Sequence, residues 1–222
     1  MSGWIELDTP HGPVRAWQAR PDAAPRAGVV VLQEIFGVNA HIRDVAQRFA
    51  GAGFLALAPS LYDPVERAVE LEYDEAGVER GRELRERLGF ERATDIVAAA
   101  AAHLRREALP VGAVGFCWGG SVALLANTRL GLPAVSYYGA RSMDFIDEPA
   151  RAPLMFHFGA LDATIPPQDI ERHRACQPAA SIHVYEGAGH GFNRDVDPAH
   201  WAPDAAALAW RRTLDFLGTH LR

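Results

Sequence analysis

The segment "LPVGAVGFCWGG", residues 109–120, decides the fold. Its first half is an apolar run of the kind that forms a strand buried on both faces. Its second half sets Cys117 among Gly115, Gly119 and Gly120, where the chain turns sharply into a helix. A lone cysteine is most often a small buried hydrophobe. Whether Cys117 is more than that depends on what the rest of the chain places at comparable positions.

Working outward, strands and helices alternate. Upstream lie "VVVLQ", the helical stretch "AHIRDVAQRFAGAG", the strand "FLALAPS", and two helical stretches near residues 73–88 and 91–107. Downstream come the strands "AVSYYG", "PLMFHFG" and "SIHVYEG", and the closing helix "APDAAALAWRRTLDFLGTHL". This alternation predicts an α/β fold with a mostly parallel sheet and helices on both faces. The N-terminus, "WIEL" and "VRAWQAR" around "DTPHGP", reads as an antiparallel hairpin. Residues 61–90 are the most charged part, either a solvated helix face or a cap over a site. With no repeat or linker, residues 1–222 are expected to form a single domain.

Bulk properties narrow the function. The 222 residues are 49% hydrophobic and 23% charged, with a formal net charge of −6. That balance provides no basic face for nucleic acid or a membrane surface. The opening "MSGWIELDTP" has no apolar core of a signal peptide, and no run reaches the length of a membrane span. A cytoplasmic protein is expected, with Cys117 and Cys176 as free thiols. The expected state is a monomer, with oligomers left open. No histidine shows metal-ligand spacing, so neither a metal nor another cofactor is expected.

"GFCWG" fits G-x-C-x-G, a nucleophile elbow with cysteine in place of serine. Side chains two positions either side of a nucleophile on such a turn would collide with it, and Gly115 and Gly119 remove them. The following helix points its N-terminal dipole at the sulfur. A nucleophile needs a base, and the base an orienter. In α/β-hydrolases these follow in the order nucleophile, acid, histidine, each past a strand. Asp162 follows "PLMFHFG", and His190 follows "SIHVYEG" in a glycine-rich loop. A turn former and an ordinary loop histidine are the plainer readings. Three such residues in the right order favour a triad of Cys117, Asp162 and His190. His157 and His183, inside strands, read as sheet residues.

The chain resembles the dienelactone hydrolases (carboxymethylenebutenolidases) of the α/β-hydrolase fold. The resemblance covers nearly the whole chain and rests on "LQEIFGVNAHIRDVAQRFAGAGFLALAPSLY", "GAVGFCWGG", "SYYGA", "FHFGALDATIP" and "YEGAGHGFNRD". It implies hydrolysis of a small, carboxylate-bearing lactone or ester by Cys117, His190 and Asp162 through an acyl-enzyme. It also implies that Glu34 neighbours the resting thiol and accepts its proton when substrate binds. Read alone, Glu34 is an oddly placed charge after an apolar strand, and it could simply cap local amides. The backbone amides of Ile35 and Trp118 are expected to form an oxyanion hole. Arg194 matches a substrate-binding arginine of the family, although it could equally pair with Asp195 or Asp197. A second arginine is expected near residues 70–85, where Arg80, Arg82 and Arg85 all qualify; here the sequence departs from the family pattern. Tyr137 and Tyr138 could line the site or simply pack. The rival functions are a general esterase or thioesterase of the same fold and a redox sensor acting through Cys117.

Overall fold

In the computed structural model, which describes residues 2–222, the N-terminal alternation folds as the expected hairpin. Strand β1 (Ser2–Thr9) pairs antiparallel with β2 (Gly12–Ala19), Thr9 opposite Gly12. The turn is only Pro10–His11, tighter than the six-residue segment read from the sequence. Gly12 takes φ 92°, and the Thr9 hydroxyl donates to the Gly12 carbonyl at 2.6 Å.

The chain divides into two compact units, the residues up to Ala113 together with Arg222, and Val114–Leu221. In the first, β2 pairs antiparallel with β4 (Phe54–Pro59), and β4 runs parallel to β3 (Ala27–Leu32). Every residue of β3 and β4 is buried, as expected of apolar runs without alternation. Helix α1 (Ala40–Gly51) starts where the Asn39 side chain accepts the Ile42 amide, and it buries Ile42, Val45, Ala46 and Phe49 at helical spacing. Helix α2 (Glu75–Arg105) is the pair of expected helical stretches, joined at Gly89, whose φ of 77° and ψ of 166° break the helix. A side chain there would make that left-handed backbone costly.

The chain passes into the second unit within β5 (Val111–Phe116). Helix α3 (Trp118–Thr128) follows at once and is buried along its whole length. Parallel pairing joins β6 (Ala134–Tyr137) to β7 (Leu154–Gly159), and β7 to β8 (Ser181–Tyr185). The closing helix is α5 (Pro203–His220). Helix α4 (Pro167–Cys176) is an addition to the elements expected from the sequence. It buries only Ile170 and His173, so it has no apolar stripe, and its start is marked only by proline at the first helical position. The α/β class, the mostly parallel strands and the N-terminal hairpin are as read from the sequence.

Candidate active site

Cys117 occupies the single residue between β5 and α3, with φ 53° and ψ −121°. A non-glycine residue is rarely held in that backbone region unless its surroundings over-determine it. Here its N–H donates to the Tyr137 carbonyl at 3.0 Å and its own carbonyl accepts the Gly120 N–H at 2.9 Å. A Cβ on Gly115 would lie 1.8 Å from the Gly119 carbonyl oxygen, and one on Gly120 would lie 2.7 Å from that of Tyr137. The space at Gly115 is therefore taken by the first turn of α3, whereas the sequence argument had put the nucleophile itself there.

Asp162 stands three residues past the end of β7 and His190 five past the end of β8, both in the unit that carries Cys117. A Cβ on Gly159 would come within 2.4 Å of the Ala188 carbonyl, so only glycine lets the loop before His190 close on the end of β7. Gly191, at φ 74°, turns the chain directly after His190. The result is a connected set: His190 Nε2 lies 3.2 Å from Cys117 Sγ, and His190 Nδ1 lies 2.8 Å from Asp162 Oδ2. Cys117 is half-buried, the Asp162 side chain wholly buried, and the His190 ring partly open to solvent.

Burial alone would push His190 down, but the negative charge at Cys117 and the hydrogen bond with Asp162 outweigh it and lift His190 to about 10. Burial likewise pushes Asp162 up, and its contacts with His190 and Thr164 overcome this and hold it below the usual carboxylate range. The arrangement favours a charged imidazolium paired with the Asp162 carboxylate. Thr164 was not singled out from the sequence. Its amide and hydroxyl donate to Asp162 Oδ1 at 2.8 and 2.6 Å. The only signal was a threonine two positions after the aspartate, the spacing of a local side-chain turn.

The other expected site residues fall as follows. Tyr138 is fully buried at φ 40°, with its ring centroid 5.1 Å from that of His190 and 5.3 Å from that of Phe192. It backs the histidine. Arg194 is buried, and its Nη1 donates to Asp197 Oδ2 at 2.9 Å. The same oxygen lies 2.7 Å from His200 Nδ1. Asp197 is thus one of the two partners the sequence offered. Trp118, the first residue of α3, is buried.

Glu34 and Ile35 follow β3 in the first unit, and both are buried. The Ile35 carbonyl accepts the Tyr62 hydroxyl at 3.2 Å, and Gly81 approaches it so closely that a Cβ would lie 2.3 Å away. Arg80 is half-buried and pairs with Glu66 and Glu83. Arg82 lines a shallow surface hollow with Glu75, Val78 and Glu79, and Arg85 pairs with Glu86.

Cys117 and Cys176 are both free thiols. Among the described residues no group of histidine, cysteine and acidic side chains could hold a metal ion, and no helix is long and apolar enough to cross a membrane.

An elbow cysteine, an acid and a histidine just past β5, β7 and β8, in that chain order, are the arrangement of an α/β-hydrolase. The family profile described as "Dienelactone hydrolase family" matches residues 14–221. The carboxymethylenebutenolidase of Pseudomonas putida is 34% identical over 208 residues, covering 89% of this chain and 87% of that protein. A solved structure from Klebsiella pneumoniae, provisionally named a dienelactone hydrolase, superposes with TM-score 0.85 at 30% identity over 98% of both chains. The dienelactone hydrolase of Anabaena variabilis shares the fold, with TM-score 0.74 at 16% identity over 100% of this chain and 99% of that one. The chain belongs to the dienelactone hydrolase family and is a carboxylic-ester hydrolase.

Proposed function

We propose that the protein hydrolyses a small, carboxylate-bearing lactone or ester through an acyl-enzyme on Cys117, in the manner of a carboxymethylenebutenolidase. The observation that carries the reading is the His190 ring, 3.2 Å from the sulfur on one side and 2.8 Å from a buried carboxylate on the other. The Cys117 thiolate attacks the carbonyl carbon, and the carbonyl π electrons move onto oxygen. When the intermediate collapses, the C–O bond breaks and the His190 imidazolium protonates the departing oxygen, which in a lactone stays tethered to the acyl group. Neutral His190 then takes a proton from water as that water attacks the thioester. Breakdown releases the acid and expels the Cys117 thiolate beside a protonated His190, the state from which the attack began. Asp162 holds the imidazole in the correct tautomer and stabilises its charged form.

The backbone amides of Trp118 and Ile35 are the proposed oxyanion donors. Glu34 is the proposed acceptor of the thiol proton when substrate arrives; it is fully buried, and taking up a proton relieves the cost of a buried carboxylate charge. Arg194 is the proposed partner of the substrate carboxylate, with Arg80 or Arg82 as a second cation. Cys117→Ala should abolish hydrolysis of both an anionic unsaturated lactone and a neutral aryl ester, while Cys176→Ala retains it. Retention of more than a few per cent of activity in clean Cys117→Ala protein would overturn the reading.

A further inference from the structure

Behind the elbow lies a chain of buried polar groups for which the proposed reaction has no use. The Tyr137 hydroxyl lies 2.7 Å from Thr213 Oγ1, Thr213 Oγ1 lies 3.1 Å from His157 Nε2, and His157 Nδ1 lies 2.8 Å from the Tyr185 hydroxyl. Tyr137, His157 and Thr213 are wholly buried, and Tyr185 nearly so. The four residues come from β6, β7, β8 and α5, all in one unit. The His157 ring stacks on His183 at 5.5 Å, and the Arg212 guanidinium lies 5.4 Å over the Tyr185 ring. A neutral imidazole serves such a chain fully, as donor at one nitrogen and acceptor at the other.

Two backbone amides beside the site end on this group. Cys117 N–H donates to the Tyr137 carbonyl at 3.0 Å, and Tyr138 N–H donates to the His157 carbonyl at 2.8 Å. Cys117 and Tyr138, one on each side of these bonds, have φ of 53° and 40°. Strained residues persist where packing and hydrogen bonds over-determine them. A fully paired buried network fixes one arrangement, because each of its members is costly to leave unpaired.

We propose that Thr213 and His157 are positioning residues for the hydrolysis. They anchor the Tyr137 hydroxyl, so that the Tyr137 carbonyl holds the nucleophile's amide and Tyr138 stays seated edge-on against His190. The proposal rests on the assignment of Cys117 and His190 as the reacting pair. A small misplacement transmitted from outside the reacting atoms lowers the chemical step more than it lowers binding.

The test measures steady-state hydrolysis of p-nitrophenyl acetate by the full chain, with melting temperature recorded for each variant. Thr213→Val keeps the shape and removes the hydroxyl; kcat should fall about tenfold with KM within about twofold. Thr213→Ser should restore most of kcat, because it returns the hydroxyl. Tyr137→Phe should mimic Thr213→Val, and it carries the test if the valine variant does not fold. Wild-type kcat in the folded Thr213→Val and Tyr137→Phe proteins would overturn the proposal, as would a serine variant no better than valine. Cys117→Ala separates the two levels. If it remains active, the assignment of the reacting pair fails; if it is inactive while Thr213→Val is normal, the network proposal alone fails.

Discussion

Thr164 holds one oxygen of Asp162 with two donors, its amide at 2.8 Å and its hydroxyl at 2.6 Å, which leaves Oδ2 to His190. A carboxylate held in this way cannot rotate to offer the histidine a different oxygen. Thr164→Val removes one of the two donors and keeps the side-chain volume. Hydrogen bonds to charged groups contribute about 1.5–3 kcal/mol, so kcat/KM should fall roughly ten- to a hundredfold. Thr164→Ser should recover most of it. An unchanged kcat/KM in Thr164→Val would show that the amide alone fixes Asp162.

The glycines of the elbow give a test of packing. Gly115→Ala would place a methyl 1.8 Å from the Gly119 carbonyl oxygen and 2.3 Å from its carbon, backbone atoms that cannot swing aside. Overpacking costs about 1–3 kcal/mol and sometimes more. The variant should melt markedly lower and lose most activity. Gly3→Ala, with nothing within 4 Å and no left-handed φ, is the matched control and should change neither. A Gly115→Ala protein as stable and active as wild type would mean that the strand–helix approach is looser than described.

The histidines predict how stability depends on pH. His190 is raised to about 10 in the folded chain against its ordinary value of 6.5. Its contribution is therefore complete below pH 6.5 and is lost as pH rises through about 10. His157 and His173 are shifted the other way, chiefly by burial, so their contributions are complete above about pH 6.5 and are lost on acidification. Melting temperature against pH should show both falling limbs. His190→Gln should flatten the alkaline limb and leave the acid limb intact, and an unaltered alkaline limb would remove His190 as its cause.

The proposed contact between Arg194 and a substrate carboxylate is tested by comparing substrate classes. The buried Arg194 guanidinium already shares Asp197 with His200, so a substrate carboxylate would meet a cation held in place. Arg194→Ala should lower kcat/KM about ten- to a hundredfold on an anionic lactone and much less on a neutral ester of similar size. Arg194→Lys should recover only part, since an ammonium cannot reproduce the guanidinium fork. Equal losses on both substrates would assign Arg194 to holding the loop around Asp197.

Much of this was legible in the sequence because the relevant signals are local. The continuous apolar runs of β3, β4 and β5 announce buried strands, and the glycines around Cys117 announce a turn with no room for side chains. The positions of Asp162 and His190 just past strand ends follow from the same alternation. Helix α4 was missed because only two of its residues are buried and periodicity had nothing to register. Thr164 and the Tyr137–Thr213–His157 chain were missed for a different reason. Thr213 lies 76 residues from Tyr137 and 56 from His157, and hydroxyl pairings at that separation leave no pattern in the sequence.

The central claim is that Cys117 becomes acylated, and peptide mass spectrometry after a rapid acid quench of the enzyme turning over p-nitrophenyl acetate tests it most directly. The account predicts a transient acetyl group on the peptide containing Cys117, absent from Cys117→Ala protein and unaffected by Cys176→Ala. Sustained turnover with no acetyl group on that peptide at any quench time, or with the acetyl group on Cys176 alone, would contradict it.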